Sequence, residues 1–223
     1  MKKILSLAIV AFFFANFATS LSLVAFNSNF YDSFYLKNQT ADQLNMSHED
    51  LMKGTVYLLD YIQEKEADLN VQVVVDGEST AMYNQREIDH MVDVLDLFKV
   101  LKTVQLVFYA FFILMFGYWV VFTRKTMIKD LFEASKLALG IIGVIMGSLL
   151  FMAVVDFNWF WTVFHQVLFK NELWLLNPNT DRLIVMVPLD FFKQLVFAIV
   201  SGWIVSLGVW FGALTLLNRR KQT

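Results

Sequence analysis

The sequence predicts an all-α membrane protein with four transmembrane helices and a small, mostly helical extracellular cap that includes a short β element. Of its 223 residues, 57% are hydrophobic and 17% are charged, an apolar share above that of ordinary soluble domains. Four apolar stretches reach the roughly 20 residues that a helix needs to cross a bilayer. They are residues 4–26, 101–122, 137–155 and 195–217.

The basic residues predict how these spans are oriented. They precede the first span, join the second to the third and follow the fourth: Lys2, Lys3, Arg124, Lys125, Lys129, Lys136, Arg219, Arg220 and Lys221. Because Lys and Arg are enriched on the cytoplasmic side, both termini are expected inside the cell. Residues 27–99 and 156–188 then form the extracellular cap and an outer loop. We expect residues 1–223 to form a single membrane domain.

The first apolar stretch has a second interpretation. Lys2 and Lys3, an apolar run and the small residues 18–20 also fit a cleaved signal peptide. The run continues to Phe26, which is long for a signal, so a transmembrane helix is favoured. Cleavage would leave the topology of the remaining chain unchanged.

Composition excludes several classes of function. The chain has no cysteine, so disulfides, cysteine nucleophiles and cysteine-bound zinc are excluded. A net charge of −2 gives no reason to expect a nucleic acid partner. The span centres lack the ionisable residues that are typical of transporters and proton pumps. Small residues spaced four apart instead predict close helix packing at Gly143, Gly147, Gly208 and Gly212.

Three short patterns predict the elements of the cap. Residues 47–50 have the form of a capping box and open a helix that continues to about Glu66. Residues 71–75 are rich in valine and end at the turn pair Asp76-Gly77, which indicates a short strand. A second capping box at residues 84–87 begins a helix that we expect to continue into the second span.

This last helix carries His90 away from its apolar face. At 100° per residue, the apolar stripe consists of Ile88, Met91, Val92 and Leu95. His90 lies about 160° from the centre of that stripe, whereas a core histidine would lie on it. Glu87 and Asp93 are one turn away on either side, near enough to accept a proton from the imidazole. A solvated acidic face with an incidental histidine is the alternative.

A second histidine, His165, lies within the aromatic segment FNWFWTVFHQVLF, residues 157–169. Such aromatic clusters are typical of segments that lie at the lipid headgroup layer of a membrane. If the segment is helical, Trp161, Leu168 and Phe169 surround the ring and keep it neutral and basic near pH 7. An interfacial histidine bonded to a carbonyl is the alternative. Because both histidines fall outside the bilayer core on one side, they could meet in one cleft.

Polar residues after this segment supply further candidates. Residues 177–180 form a turn cluster, followed by Asp181 and Arg182. Arg182 at headgroup depth could bind a phosphate or carboxylate with two donors; alternatively, it pairs with Asp181 or fixes the loop. The supporting or substrate-binding candidates are Glu87, Asp93, Asn177, Asp181 and Arg182. His48, at the exposed start of a helix, is interpreted as a surface residue.

Two segments, REIDHMVDV at 86–94 and FHQVLFKNELWLLNPNTDRLIVMVP at 164–188, together with the four spans, resemble the Lit family of lipoprotein intramolecular transacylases. The resemblance covers essentially the whole chain and implies an acyltransferase in the cell membrane of a Gram-positive bacterium. It implies transfer of the sn-2 acyl chain of a diacylglyceryl lipoprotein to the α-amino group of its N-terminal cysteine, which leaves a lyso-form lipoprotein. His90 and His165 correspond to the family's catalytic pair.

This reaction suits the residues present. The attacking nitrogen and the ester belong to one substrate molecule, so no enzyme nucleophile, metal or cofactor is expected. The protein must supply a base, an acid and a donor for the oxyanion on the extracellular side. We favour His165 as the more desolvated ring and His90 as the ring oriented by Glu87. The expected partners are the diacylated lipoprotein and membrane lipid.

Two other classes of function stay open. A metal-dependent membrane hydrolase could use His90, His165 and either Asp93 or Asp181 as three ligands. Alternatively, the chain is a non-catalytic sensor or assembly partner whose acidic cap binds another protein.

Overall fold

The computed structural model describes residues 2–123 and 126–220. Its elements in chain order are α1 (Lys2–Ala25), α2 (Ser28–Asn38), α3 (Thr40–Gln43), α4 (His48–Ile62), β1 (Gln72–Val75), β2 (Glu78–Ala81), α5 (Gln85–Phe122), α6 (Met127–Val155), α7 (Phe157–Leu168), α8 (Arg182–Met186) and α9 (Leu189–Arg220). The described chain is therefore mostly helical, as the composition predicts.

Four of the described helices, α1, α5, α6 and α9, are long and apolar enough to cross a membrane. The prediction of four such helices is confirmed. Of the cations used to orient them, Arg124, Lys125 and Lys221 lie outside the described residues, and the placement of both termini in the cytoplasm stays a prediction. The chain divides into two compact units, which are described separately below.

The first unit comprises the described residues of Met1–Ser22, Leu101–Phe157 and Phe197–Thr223. Its core is built on α1, whose Leu5, Ile9 and Phe13 are almost fully buried with side chains of α6 and α9. Trp203 Nε1 donates to the Phe13 carbonyl at 3.0 Å and Ser20 Oγ donates to the Ile199 carbonyl at 2.7 Å. Hydrogen bonds and close packing thus hold these apolar helices together.

The glycines predicted to mediate close packing do not do so. A Cβ atom added at any of the four would meet nothing within 4 Å: Gly143, Gly147, Gly208 and Gly212. These glycines lie on faces that no described neighbouring chain approaches, and a spacing of four does not by itself indicate which face of a helix is covered. The close approach is at Gly202 instead, where an added Cβ would lie 3.0 Å from Ser20 Oγ.

The second unit comprises Leu23–Val100 and Asn158–Val196. Its helix α4 begins with the predicted capping box, since Ser47 Oγ accepts a hydrogen bond from Asp50 N at 3.0 Å. The helix ends at Ile62 instead of Glu66, because Glu64 adopts a left-handed conformation with φ of 61°. Helix α2 is not anticipated by the sequence; the hydroxyls of Tyr35 in α2 and Thr55 in α4 join the two helices at 3.0 Å.

The predicted strand forms one half of an antiparallel hairpin. Val75 pairs with Glu78 across Asp76 and Gly77, both of which have positive φ, as a tight hairpin turn with two left-handed residues requires. The second strand, ESTA, lacks the valine-rich pattern of the first and is not predicted. Pairing with β1, whose Val73 is buried, determines its conformation instead.

Gly54 in α4 provides a test of packing in this unit. An added Cβ would lie 2.9 Å from Met82 Cγ, closer than real side chains approach. We expect Gly54→Val to lower the free energy of unfolding by about 1–3 kcal/mol, since overpacking displaces Met82. Gly140→Val is the control, because an added Cβ there meets nothing within 4 Å. Equal apparent melting temperatures of the two variants in detergent would contradict this account of the packing.

Candidate functional site

The start of α5 is fixed by the predicted second capping box. Asn84 N donates to Glu87 Oε2 at 2.7 Å, and Glu87 N donates to Asn84 Oδ1 at 3.1 Å. The helix then continues without interruption to Phe122, as expected. His90 lies in the charged first turns of α5, residues 85–100, which precede the predicted span of 101–122.

Glu87 does not orient His90, and that expectation is wrong. The Glu87 side chain is 1% exposed, and its second oxygen accepts a hydrogen bond from Leu183 N at 2.5 Å. Both carboxylate oxygens therefore bind backbone amides, one at the start of α5 and one in α8. Spacing along α5 puts Glu87 one turn before His90, but the α8 backbone determines where its carboxylate binds.

The two histidines come together although α5 and α7 supply them separately. The centroids of the His90 and His165 rings lie 6.4 Å apart, with 33° between the ring planes. His90 is 8% exposed and His165 is 9% exposed, so the expectation that His165 is the more desolvated of the two is wrong. Phe169 contacts both rings, at centroid distances of 5.2 Å from His90 and 5.6 Å from His165.

One hydrogen bond determines the tautomer of neutral His165. Its Nδ1 lies 2.7 Å from the Trp161 carbonyl oxygen, which can only accept, so Nδ1 carries the hydrogen and Nε2 holds the lone pair. Burial lowers the pKa of His165 and outweighs the opposite effect of the Trp161 carbonyl. Near pH 7 the ring is therefore neutral, with Nε2 able to accept a proton.

His90 has a different environment. Its Nδ1 is buried and has no hydrogen-bond partner within the described part of the chain. Burial, followed by the proximity of His165, lowers the pKa of His90 to about 4, although the carboxylate of Asp93 opposes the change. His90 is thus also neutral near pH 7, and its conjugate acid would release a proton readily.

The segment between α7 and α8 is bound to α5 on both sides of His90. Arg86 Nη2 donates to the carbonyls of Glu172 at 2.6 Å and Leu175 at 3.2 Å. Asp93 Oδ2 accepts from Asn171 Nδ2 at 2.8 Å, so this carboxylate oxygen binds the segment and not the His90 ring. Arg86 is not among the residues predicted from the sequence; the available signal was its position four residues before His90, one helical turn away.

Trp174 is the second residue that the sequence analysis missed. Its ring lies 4.9 Å from that of His165, with 32° between the planes. Its indole Nε1 donates to the Asn171 carbonyl at 3.0 Å. No local pattern in the sequence indicates this contact, because it depends on how the segment folds back over α7.

The remaining candidates organise the turn before α8. Asp181 is buried and accepts hydrogen bonds from Asn177 N at 2.7 Å, Asn84 Nδ2 at 2.8 Å and Thr180 Oγ1. Burial alone would raise the pKa of Asp181, but these hydrogen bonds hold it below its ordinary value. Asn177 thus belongs to the turn and contributes its backbone N–H to the Asp181 carboxylate.

Arg182 binds the backbone at the end of β2. Its Nη1 donates to the Ala81 carbonyl at 2.7 Å and to the Met82 carbonyl at 3.2 Å. This matches the alternative in which the arginine holds a loop. The hydrogen bonds of Asn177, Asp181 and Arg182 thus go to the surrounding chain and not to either imidazole.

A three-ligand metal site is not formed by these residues. Within residues 2–123 and 126–220, no group of three or more His, Asp or Glu side chains is placed to hold a metal ion. The hydrolase alternative requires Asp93 or Asp181 beside the imidazoles, but these carboxylates bind Asn171 and the turn at Asn177.

His48 is a half-exposed residue away from the pair. Its Nε2 lies 2.7 Å from Asp32 Oδ1, which joins the start of α4 to α2. This agrees with its interpretation as a surface residue and makes it a reference for the other two.

Comparison with known proteins gives the family. The sequence model of the family described as lipoprotein intramolecular transacylase Lit matches residues 6–192. No curated protein matches this chain. Among solved structures, the membrane integral lipoprotein intramolecular transacylase Lit from Bacillus cereus is similar with a TM-score of 0.78 and 16% identity, over 100% of this chain and 98% of that one.

Two variants of the Bacillus cereus protein, each with one histidine replaced, are also similar. The arginine variant has a TM-score of 0.76 and 16% identity, over 100% of this chain and 94% of that one. The alanine variant has a TM-score of 0.75 and 17% identity, over 100% of this chain and 96% of that one. At these identities, the structural matches show a shared fold. Because the family's sequence model covers most of the chain, the protein belongs to the lipoprotein intramolecular transacylases and is a membrane-integral acyltransferase.

Proposed function

We propose that the chain moves the sn-2 acyl chain of a diacylglyceryl lipoprotein to the α-amino group of the lipoprotein's N-terminal cysteine. The product is a lyso-form lipoprotein, and the reaction takes place on the extracellular side of a bacterial cell membrane. His90 and His165 perform the proton transfers. The observation that carries this proposal is the pair of buried imidazoles with ring centroids 6.4 Å apart.

The transfer needs no acyl-enzyme. The amine nitrogen attacks the ester carbon, a nitrogen–carbon bond forms, and the bond from that carbon to the glycerol oxygen breaks. The proton leaves the nitrogen for a base, and the glycerol oxygen takes up a proton to become a hydroxyl. Because amine and ester belong to one molecule, orienting them can provide an effective concentration of about 10⁵–10⁸ M.

The two rings are suited to different steps. His165 is the base, because its Nδ1–H bond to the Trp161 carbonyl leaves Nε2 free and stabilises the imidazolium that forms. His90 lacks such a partner at Nδ1, and its pKa of about 4 makes its protonated form a stronger acid than an ordinary imidazolium. We therefore assign to His90 the protonation of the departing glycerol oxygen: neutral His90 receives the proton that His165 has taken from the amine and passes it to that oxygen.

Exposed apolar side chains on α7 support a lipid-borne substrate. Trp159, Phe164 and Val167 lie within two turns of His165, and each is more than a third exposed. Lipid chains would cover these side chains, so the acyl chains of the diacylated lipoprotein can remain in the membrane beside the imidazoles. Membrane lipid is thus a proposed partner, and nucleic acid is not.

A crossover experiment tests the proposed transfer. Purified protein in liposomes would receive two synthetic diacylglyceryl lipopeptides, one with a deuterated sn-2 chain and one with an isotopically heavy peptide. We expect mass spectrometry to find each sn-2 chain on the nitrogen of its own peptide. Heavy peptides that carry deuterated chains, or free fatty acid as the main product, would contradict intramolecular transfer.

The low pKa of each histidine predicts the dependence of the rate on pH. Below the pKa of the substrate amine, about 7.7–8.0, the logarithm of the rate should fall with a slope of one. An ordinary histidine base would add a second unit of slope below about pH 6.5, since its protonated form cannot accept a proton. Because the pKa of His165 is lowered, we expect the slope to remain one through about pH 6.5 and to steepen only at lower pH.

This profile is measured with the same lipopeptide under single-turnover conditions. A lipopeptide with a less basic amine is the control and should shift the main inflection without changing the slope below it. A slope of two beginning near pH 6.5 would show that the base titrates like a solvated histidine.

A further inference from the structure

We propose that residues 171–175 form a clasp that holds the two imidazoles together and keeps water away from His165, with Arg86 and Trp174 as its positioning residues. The inference rests on the role proposed above for His165. It assigns a function to residues 171–175, which take no direct part in the transfer.

Arg86 holds the clasp at Glu172, its second residue, and at Leu175, its last. A single guanidinium nitrogen, Nη2, reaches the carbonyls of both Glu172 and Leu175. The two N–H groups of Nη2 lie in the fixed plane of the guanidinium and so meet both carbonyls in one geometry, which the rotating ammonium of a lysine fixes less well. Arg86 precedes His90 by one helical turn, so this attachment fixes the clasp relative to the His90 ring.

Asp93 holds the N-terminal part. Its carboxylate accepts from Asn171 Nδ2 at 2.8 Å, and Asp93 follows His90 by three residues on the same helix. The two attachments, at Arg86 and Asp93, lie on either side of His90 along α5. The clasp is thus bound at both ends to the helix that carries one histidine.

Trp174 brings the clasp to the other histidine. The centroid of its ring lies 4.9 Å from that of His165. A second tryptophan, Trp161 of α7, packs on His165 at a centroid distance of 4.8 Å. The bond from Trp174 Nε1 to the Asn171 carbonyl fixes the ring's direction. The same segment is therefore attached to the His90 helix and packed on the His165 ring.

The positive charge of Arg86 supplies a competing explanation. A guanidinium near the imidazoles also disfavours their protonated forms, so loss of Arg86 could act through charge alone. Arg86→Lys keeps the charge and replaces the fork, whereas Arg86→Gln removes the charge and retains a single amide donor group. If the clasp matters, both variants lose activity; if only charge matters, Arg86→Lys keeps it.

The first test measures access to His165 without relying on turnover. Intact protein in liposomes is treated with diethyl pyrocarbonate, which modifies neutral imidazoles, and the rate at each of the three histidines is followed by peptide mass spectrometry. We expect Trp174→Ala and Arg86→Ala to raise the rate at His165 several-fold and to leave His48 unchanged. Trp174→Phe keeps a ring over His165 and should resemble the parent protein.

The second test separates positioning from binding. Arg86→Ala should lower kcat by about 100-fold with little change in KM, the size of effect expected from a displacement of about 1 Å. Trp174→Ala should restore a slope of two to the rate profile below about pH 6.5, since a hydrated His165 regains an ordinary pKa. Arg219→Gln, at an exposed arginine of α9, is the control and should keep the parent kcat.

The two readouts distinguish failure of the clasp from failure of the proposed chemistry. An unchanged modification rate at His165 in Trp174→Ala would overturn the clasp, whatever the histidines do. Full activity in His165→Ala would instead overturn the proposed chemistry, and the modification rates would still report on the clasp. If Arg86→Ala does not accumulate, Arg86→Lys and Trp174→Ala, each alone, decide the outcome by the same criteria.

Discussion

Replacing His165 with alanine is expected to lower the formation of lyso-form lipoprotein by about 100- to 10,000-fold, the usual contribution of a general base. His90→Ala should cause a loss within the same range. The substrate amine would still lie near the ester, but no imidazole at position 165 would receive its proton. The proton would have to leave to water, and the position is buried, so little water reaches it. Mass spectrometry of lipoprotein N-termini from cells that express each variant measures this loss.

His48→Ala is the matched control for both substitutions. It removes the third imidazole of the chain, whose ring bonds to Asp32 and belongs to no part of the proposed site. We expect His48→Ala to keep the parent rate. Lyso-form lipoprotein made at the parent rate by either His90→Ala or His165→Ala, at equal protein abundance, would refute the assigned roles.

Replacing Glu87 with alanine should cause the largest loss of stability in the second unit. The carboxylate is 1% exposed and accepts hydrogen bonds from the backbone amides of Asn84 and Leu183. Removing it leaves two donors without a partner, at a cost of about 3 kcal/mol in the free energy of unfolding. For a chain of this length, that corresponds to a fall in Tm of about 6–12 °C.

The comparison for Glu87 is Asp89, two residues further along the same helix. Asp89 is exposed, and the one hydrogen bond of its carboxylate within the described residues is to the Gln85 side chain at 2.8 Å, so Asp89→Ala should change the free energy of unfolding by less than about 0.5 kcal/mol. Glu87→Gln should lower the free energy of unfolding by most of the amount expected for Glu87→Ala, because an amide nitrogen cannot accept a hydrogen bond from a backbone N–H. Equal melting temperatures for Glu87→Ala and Asp89→Ala would contradict the view that Glu87 stabilises the unit by joining the start of α5 to α8.

The sequence predicted those features of the fold that depend on local patterns. Apolar runs of sufficient length identified the four long helices, since an apolar stretch of that length favours a helix in a membrane. The capping boxes at Ser47 and Asn84 were also correctly located, because the bonds that define them join residues three apart. The end of α4 was misplaced, because a left-handed residue at Glu64 leaves no distinctive signal in the sequence.

The candidate site was predictable only in part. The position of His90 off the apolar stripe and the aromatic surroundings of His165 drew attention to both rings, but no spacing rule could show that residues 75 positions apart come within 6.4 Å between centroids. The partners of Glu87 and Asp93 were not predictable for the same reason. Leu183 and Asn171 reach those carboxylates from distant parts of the chain.

The central claim is that His90 and His165 act as one unit on an intramolecular transfer, and a double-substitution cycle tests it most directly. Single-turnover rates with one labelled lipopeptide would be measured for the parent protein, His90→Ala, His165→Ala and the double variant. Residues that act together show strongly non-additive losses, so we expect the double variant to be no more than about threefold slower than the slower single variant. Losses that multiply in the double variant, or a single variant that keeps the parent rate, would contradict the account.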